Sequence, residues 1–194
     1  MDQKIEKGRL LVAMPTLNDP NFWQAVVLLC TYGPEGALGV VLNRPTEIAV
    51  SALIHDFPNL PGGDRIYEGG PVAKNGMLVL CRGKAEDGNN IIGDISLAKD
   101  LDSLKKSGCL LPSEQRLQID VTESFSEIRC YRGYAGWTAG QLEEEIKTGA
   151  WKMVQTDSTL IFDADSAVLW PQMMRHLGPE WAFYSTMPFN PNMN

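Results

Sequence analysis

The chain has 194 residues, of which 44% are hydrophobic and 21% are charged, and its formal charge is −7 at pH 7. This composition excludes an intrinsically disordered protein, and the length suits one folded domain with a sizeable hydrophobic core. The negative charge disfavours binding to nucleic acid, because that binding draws on clustered Lys and Arg. Dispersed arginines could still converge in the folded protein and form a local basic patch.

The first part of the chain predicts a polar arm and a hairpin. Residues 1–8 form the arm, and residues 9–13 form a short strand. Apolar runs over residues 25–31 and 37–42 are separated by a Gly-Pro pair, which favours a turn between two paired strands. Both runs are continuously apolar, so we expect burial on both faces, as in the centre of a sheet that helices cover.

Short strands and helices follow along the rest of the chain. Strands are predicted over residues 65–67, 77–81, 91–96, 117–121, 128–134 and 159–162. Helices are predicted over residues 50–57, 97–104, 139–148 and 166–177. A tail over residues 185–194 is rich in Pro and Asn and is predicted to be irregular.

This order of elements indicates an α+β (α/β) fold. The strands come as hairpins, and the connections between them are too short for a regular series of βαβ units. No internal repeat or low-complexity segment divides the chain. We therefore predict a single domain over residues 1–194, built on a mixed sheet with short flanking helices.

Residues 133–143 hold three glycines and two large aromatics directly before an acidic amphipathic helix. In one interpretation, Gly136 and its neighbouring glycines form a strand-to-helix corner where Tyr134 and Trp137 lock the sheet onto the helix. In the other, exposed backbone N–H groups at the start of the helix bind an anion. The glycine spacing matches neither a dinucleotide-binding fingerprint nor a phosphate-binding P-loop.

Thr138 and Gln141 have the spacing of a capping box. In that motif the Thr hydroxyl accepts a backbone N–H of the first turn, and the Gln side chain reaches back to the cap residue. We therefore expect the helix to start directly after Thr138 and to end at Gly149.

Two further motifs lie at the ends of predicted strands. Glu68-Gly69-Gly70 lies between two strands, where it forms either a simple turn or the rim of a pocket. Asn43-Arg44 ends a buried strand, and the Arg44 guanidinium either clamps a phosphate or carboxylate or ties down a neighbouring loop. Both alternatives stay open for each motif.

Catalytic and metal-binding patterns are sparse. The chain has two histidines, His55 and His176, and neither belongs to a spaced catalytic or metal-binding motif. Asp163 and Asp165 could hold Mg²⁺, but Asp residues before a helix are more often caps. We therefore predict no catalytic residue, no metal site and no cofactor.

The four cysteines include no C-x-x-C pair, so we expect reduced thiols packed in the core. The first residues lack the long apolar stretch of a secretory signal. The longest apolar run is far shorter than the roughly 20 residues of a membrane span. We therefore expect a cytoplasmic location and no contact with a membrane.

Several ordered motifs carry a resemblance to a known family. They are Gly8-Arg9-Leu10-Leu11-Val12-Ala13, Gly36-Ala37-Leu38-Gly39, Leu42-Asn43-Arg44-Pro45, Gly69-Gly70-Pro71-Val72 and the segment 133–143. With these motifs the chain resembles the YqgE/AlgH family of bacterial proteins. The resemblance implies a single α/β domain whose large mixed sheet is partly barrel-like and flanked by helices. Members are often described as regulators of transcription, although no DNA-reading motif is recognisable in this chain.

We hypothesise a non-enzymatic binding or regulatory protein whose partner is an unknown protein or a small molecule. Its predicted binding groove is formed by Asn43, Arg44, Glu68, Gly69, Gly70, Tyr134, Gly136 and Trp137. One alternative is an enzyme acting on a small anionic or nucleotide substrate, with Arg44 as anion clamp and Glu68 or Asp19 as acid or base. Another is a DNA-binding regulator of transcription, which the negative net charge disfavours.

Overall fold

A computed structural model describes residues 4–53, 64–83, 89–98 and 126–188. Within these ranges, ten strands form a curled, half-barrel sheet with short helices around it. The strands are β1 (Leu10–Ala13), β2 (Val26–Gly33), β3 (Gly36–Val41), β4 (Pro45–Ala49), β5 (Arg65–Glu68), β6 (Val72–Arg82), β7 (Asn90–Ile92), β8 (Ile95–Ala98), β9 (Glu127–Thr138) and β10 (Trp151–Val154). The helices are α1 (Val50–Leu53), α2 (Gln141–Lys147), α3 (Ser158–Phe162), α4 (Leu169–His176) and α5 (Pro179–Ala182), with 3-10 turns at Pro20–Phe22 and Phe183–Thr186.

The sheet is mixed, as the sequence predicts. Its strands follow the order β10-β1-β2-β3-β9-β6-β8-β7, and β4 pairs with β5, which in turn pairs with β9. The described neighbours run antiparallel except for β5 and β9, which run parallel with Ile66 opposite Cys130. The predicted α+β class with a partly barrel-like sheet is therefore confirmed.

Strand β2 shows why its apolar run is continuous. Val26 and Leu28 pack on one face of the sheet with residues of α3 and α4, whereas Val27 and Leu29 pack on the other face with Leu142 of α2. All four strand residues are fully buried. The predicted burial on both faces is confirmed, because helices cover this part of the sheet from both sides.

Residues 159–162 belong to α3 rather than to the predicted strand. The Asp157 carboxylate accepts a hydrogen bond from the Leu160 N–H at 3.1 Å and so caps the helix. The helix then places Ile161 in the core. The strand prediction was wrong because β-branched Thr159 and Ile161 favour strands locally, whereas the cap and the burial favour a helix here.

Strand β9 continues to Thr138, so much of the segment 133–143 is strand rather than a corner. Helix α2 begins at Gln141, with Gly140 as its N-cap at a φ of 80° and without a side-chain cap. The Gln141 side-chain oxygen does accept the Thr138 N–H at 3.1 Å. The Thr138 hydroxyl donates to that same oxygen instead of capping the helix, so the predicted capping box is half formed.

Several predicted elements lie partly or wholly outside the described residues. Only the first four residues of the helix predicted over 50–57 are described, and they form α1. The strand predicted over 117–121 lies outside, as does most of the helix predicted over 97–104, whose first two residues belong to β8. The strand predicted over 91–96 is instead the hairpin of β7 and β8, which turns at Gly93.

The predicted arm and tail are described in part. At the end of the arm over residues 1–8, the Gly8 N–H donates to the Leu29 carbonyl at 2.7 Å, which extends the pairing of β1 with β2 to the end of the arm. The tail over residues 185–194 begins inside a 3-10 turn, so its first two residues are regular rather than irregular. The outermost residues of both segments lie outside the described ranges.

Candidate functional site

A cleft of about 920 Å³ lies where six segments of the chain meet. They are the segment before β2, the corner between β3 and β4, strand β5, the turn from β5 into the start of β6, strand β9, and the connection from α3 into the start of α4. These segments are far apart in sequence, so the cleft depends on the tertiary fold rather than on one local motif.

Two glycine motifs meet backbone to backbone beside this cleft. The Gly69 N–H donates to the Arg132 carbonyl at 2.8 Å, and the Gly69 carbonyl accepts the Val41 N–H at 2.9 Å. A Cβ atom on Gly70 would lie 2.3 Å from the carbonyl carbon of Tyr134. The contact leaves no space for a side chain, so it favours the structural interpretation of both motifs.

Asn43 ties together the strands that lead to the cleft. Its side-chain oxygen accepts the Val26 N–H at 2.9 Å, and its side-chain nitrogen donates to the Gln24 carbonyl at 2.9 Å. Asn43 also lines the cleft. Because both ends of the amide bind backbone, its main contribution is to hold the corner between β3 and β4 in place.

Replacing Asn43 with aspartate is expected to lower the free energy of unfolding by about 2 kcal/mol, because the carboxylate cannot donate to the Gln24 carbonyl. Urea denaturation would measure the change. Asn75→Asp is the matched control, since it adds the same charge at an exposed position of β6. Equal stability of the two variants would show that the hydrogen bonds of the Asn43 amide do not stabilise the fold.

Arg44 points its guanidinium toward the segment before β2. Its Nη2 atom donates to the Trp23 carbonyl at 2.5 Å. Burial lowers the pKa of the Arg44 guanidinium from its ordinary value, and the nearby Glu68 carboxylate opposes this effect. Arg44 therefore ties down a neighbouring loop, and it also lines the cleft; its role as an anion clamp stays a prediction.

Glu68 is held between two cations at the end of β5. Its Oε2 atom accepts hydrogen bonds from Nη2 and Nε of Arg132 at 2.8 and 3.2 Å. Its Oε1 atom lies 3.2 Å from Nζ of Lys74. The Glu68 N–H also donates to the Arg44 carbonyl at 2.8 Å, which fixes the end of β5 against the corner between β3 and β4.

The described residues that line the cleft carry an excess of positive charge. They include four cationic side chains, Arg44, Arg65, Lys74 and Arg132, and two carboxylates, Glu68 and Asp165. The formal excess is two positive charges, whereas the whole chain has a charge of −7. The cleft is thus locally positive on an acidic protein.

Arg65 is the most loosely held of these cations. Its side chain is 53% exposed, and its ion pair with Glu47 spans 4.0 Å to a carboxylate that is 95% exposed. Such a pair contributes little in water. The Arg65 guanidinium is therefore available to a ligand in the cleft.

Two residues with unusual backbone angles flank the cleft. Among the described non-glycine residues, Gln24 and Ala73 are those with a positive φ, at 51° and 49°. Gln24 lines the cleft, and Ala73 directly precedes Lys74, which lines it as well. Strained backbone of this kind tends to occur at functional sites, which is consistent with a functional role for this cleft.

Trp137 lies away from the cleft in the core on the opposite face of the sheet. Its side chain packs with Leu11 and Trp151 and is 6% exposed. The indole nitrogens of both tryptophans donate to Oε2 of Glu145, at 2.8 and 2.7 Å. Trp137 therefore locks α2 onto the sheet, as the structural interpretation of its motif predicts.

The structure brings together some of the eight predicted groove residues and separates others. Asn43, Arg44, Glu68 and Gly70 line the cleft, whereas Gly69, Tyr134, Gly136 and Trp137 do not belong to its lining. Tyr134 is half-buried, and its ring lies beside Gly136. Gly136 is exposed and directly precedes Trp137 in β9. The role of all eight in binding stays a prediction.

Comparison with known proteins shows which family the chain is related to. A family model described as AlgH-like matches residues 10–182. The chain belongs to the AlgH-like family. A UPF0301 protein of Thermobifida fusca is 36% identical over 197 residues, with 100% of this chain and 98% of the relative covered. A UPF0301 protein of Streptomyces avermitilis is 37% identical over 196 residues, with coverage of 96% and 94%.

Solved structures agree with this family membership. The AlgH protein of Pseudomonas aeruginosa is 26% identical, with a TM-score of 0.66 over 98% of this chain and 100% of that one. A protein of Corynebacterium diphtheriae is 21% identical and shares the fold, with a TM-score of 0.75 over 96% of this chain and 95% of that one. The fold seen in this chain is thus the fold of the family.

Arg65, Lys74, Arg132 and Asp165 are cleft residues that the predicted groove of this AlgH-like chain leaves out. They come from β5, β6, β9 and the connection between α3 and α4. The sequence shows only dispersed arginines, which are compatible with a local basic patch but do not locate one. The parallel pairing of β5 with β9, which places Glu68 opposite Arg132, carries no local sequence signal.

Asp163 and Asp165 bind groups of the protein itself. Oδ1 of Asp163 lies 3.0 Å from Nη2 of Arg82, and Oδ1 of Asp165 accepts the Ala167 N–H at 2.9 Å. Among the described residues, no group of three or more His, Cys, Asp and Glu is arranged to hold a metal ion. His55 lies outside those residues, and His176 ends α4 away from the cleft.

Two of the cysteines are typical core thiols. Cys30 and Cys130 are buried, and burial raises the pKa of each to about 12. A thiol with such a pKa is a poor nucleophile at neutral pH. In the part of the chain that the structure describes, none of the helices is long and apolar enough to span a bilayer.

Proposed function

We propose that the protein is a non-enzymatic binding and regulatory protein that takes a small anionic molecule in the cleft. The observation that carries the proposal is the excess of two positive charges in the cleft lining of a chain with a charge of −7. Cationic clefts in an otherwise acidic surface attract and concentrate anions.

The size of the cleft supports a small molecule as partner. Sites for small molecules commonly enclose roughly 300 to 1,000 Å³ and combine apolar walls with a few polar groups. The cleft of about 920 Å³ lies in this range, and Pro45, Pro71 and Pro171 supply apolar surface beside the charged residues.

The side chains of the cleft support binding rather than catalysis. Its described lining includes neither His nor Cys, which are the commonest bases and nucleophiles. The two carboxylates already have partners, since Glu68 is held by Lys74 and Arg132, and Asp165 accepts a backbone N–H.

We also propose a cytoplasmic location. The buried thiols of Cys30 and Cys130 suit a reducing compartment, because such thiols are rarely kept in an oxidising one. Fractionation of cells that express the protein from its native locus would test this location, and recovery in the periplasmic fraction would contradict it.

Thermal unfolding in the presence of small carboxylates, phosphates and sulfates, each beside a neutral counterpart, tests the binding proposal. A ligand at 100 times its Kd adds about 2.7 kcal/mol to the free energy of unfolding. For a protein of this size that raises Tm by roughly 5 to 11 °C. We expect at least one anion to give such a shift while its neutral counterpart gives none.

Lys74→Ala is expected to reduce the shift, because Lys74 lines the cleft. Lys147→Ala is the matched control, since Lys147 is also an exposed lysine paired with one glutamate, on α2. A panel without any shift would overturn the proposal. Turnover of the bound anion by the purified protein would overturn its non-enzymatic part.

A further inference from the structure

We infer that the ligand of the proposed site is a phosphate monoester, whose phosphate binds in a cationic corner of the cleft and whose organic part fills the remaining space. The corner is formed by Arg44, Lys74 and Arg132 around Glu68. This inference rests on the proposed function and specifies the class of anion.

Two cations contact the Glu68 carboxylate in this corner, and a third, Arg44, lines the cleft with them. Lys74 lies 3.2 Å from one Glu68 oxygen, and Arg132 binds the other at 2.8 Å. Arg44 is linked to Glu68 through its backbone, with the Glu68 N–H donating to the Arg44 carbonyl at 2.8 Å, and its guanidinium senses the Glu68 charge. The corner therefore has a compact excess of two positive charges.

A phosphate monoester matches this charge. Its phosphate is a dianion above a second pKa near 6, and its three terminal oxygens accept hydrogen bonds from several donors at once. Guanidinium groups bind such oxygens in pairs, and an ammonium adds a point charge. A single carboxylate would balance only one of the two charges, and a dicarboxylate would separate its charges instead of placing both in the corner.

The rest of the cleft calls for an organic part. One inorganic anion fills only a small fraction of about 920 Å³. Besides the charged residues, the lining includes Tyr67, Pro71 and Pro171, together with the hydroxyl-bearing Ser166. Apolar walls with a few polar groups are typical of sites for the organic body of a ligand.

Isothermal titration of the full chain tests the inference with defined probes. They are glucose 6-phosphate, adenosine 5′-monophosphate, the neutral glucose and adenosine, inorganic phosphate and succinate. We expect at least one monoester to bind more tightly than its neutral counterpart, inorganic phosphate and succinate by about tenfold or more. The neutral compounds lack the dianion, inorganic phosphate lacks the organic body, and succinate holds its two charges apart.

The affinity for the monoester is expected to rise by about tenfold from pH 5 to pH 7.5, because the phosphate loses its second proton near pH 6. Six charged groups face the ligand from the walls of the cleft, namely Arg44, Arg65, Glu68, Lys74, Arg132 and Asp165. Glucose 6-sulfate is the control for them, since its charge stays the same over this pH range. Any change in its affinity reports the protein rather than the ligand.

Two variants locate the phosphate. Lys74→Ala is expected to weaken binding of the monoester roughly fivefold, the size expected for one exposed charge contact. Lys147→Ala, on α2 away from the cleft, is expected to leave the affinity unchanged. Both positions are well exposed, at 55% and 76% of the side chain, so each variant should fold.

The outcomes separate this inference from the proposed function. Binding of succinate that exceeds that of both monoesters, and that weakens in Lys74→Ala, would overturn the phosphate inference and leave the anion-binding function standing. Inorganic phosphate binding as tightly as the esters would overturn the part about an organic body. Monoester binding that is unaffected by Lys74→Ala would overturn the placement of the phosphate in the cationic corner. Binding of no anion would overturn both proposals.

Discussion

Replacing Gly70 with alanine is expected to lower the free energy of unfolding by more than about 4 kcal/mol, which is exceptional for a single substitution. The added Cβ would lie 2.3 Å from the Tyr134 carbonyl carbon and 2.4 Å from the Ala135 nitrogen. Gly70 also has a φ of 150°, which side-chain-bearing residues rarely adopt. Since both obstacles are backbone, neither side can yield without separating β9 from the turn into β6.

Chemical denaturation or expression as soluble protein would measure this effect. Gly76→Ala is the matched control in the strand that follows the same turn, because a Cβ there would find its nearest neighbour at 3.4 Å. We expect a change of less than about 0.5 kcal/mol for the control, as for most surface substitutions. Near-native stability of Gly70→Ala would show that the turn can move away, and that the glycine contact does not hold the sheet together.

The glycine motifs could be found in the sequence, but their meeting could not. Gly69-Gly70 and Gly133 lie more than sixty residues apart, and β5 pairs with β9 in parallel through a long connection. Nothing local specifies that pairing. The positive cleft was missed for the same reason, because Arg132 reaches Glu68 only through this register.

Trp137 lies away from the cleft for a different physical reason. Tyr131 packs on one face of the sheet with Leu10, whereas Trp137 packs on the other face with Leu11. Strict alternation along β9 would place both aromatics on the same face. Between them Gly133 has a φ of 68°, at an irregularity in the pairing with β6. The alternation of side chains between the two faces of the sheet is therefore interrupted there. A sequence pattern does not reveal such a change.

The hairpin of β2 and β3 was predictable because its pattern is local. Its apolar runs are long, its turn holds a Gly-Pro pair, and helices cover both of its faces. In contrast, α3 was mistaken for a strand because its five residues are too few to show a helical period. Long apolar runs can therefore be predicted here, while short elements depend on contacts from elsewhere in the chain.

Replacing Arg129 with methionine is expected to lower the free energy of unfolding by about 3 kcal/mol, through two carbonyls left without donors. Nη1 of Arg129 donates to the Ile161 carbonyl at 2.9 Å, and Nη2 donates to the Phe162 carbonyl at 2.6 Å. Its guanidinium lies 4.7 Å from the ring centre of Tyr67 and 5.2 Å from that of Phe162. The residue is 8% exposed, so water cannot readily replace these contacts.

The two carbonyls belong to the last turn of α3, where backbone acceptors lack partners within the helix and a positive charge is favourable. Arg129 therefore fixes the end of α3, and with it the connection to α4 that forms one wall of the cleft. We expect Arg129→Met to lower Tm by roughly 6 to 12 °C and to weaken the binding of any ligand in the cleft.

Arg175→Met is the control for this prediction, because Arg175 is exposed in the last turn of α4, and we expect it to change stability by less than about 0.5 kcal/mol. Arg129→Lys should fall between the two, since an ammonium keeps the charge but cannot stack or reach both carbonyls as a planar guanidinium does. Wild-type stability of Arg129→Met would mean that the cost of burying the guanidinium cancels its hydrogen bonds, a balance known for buried charges. Arg129 would then position the cleft wall without stabilising the fold, and only the affinity for a ligand would respond to its removal.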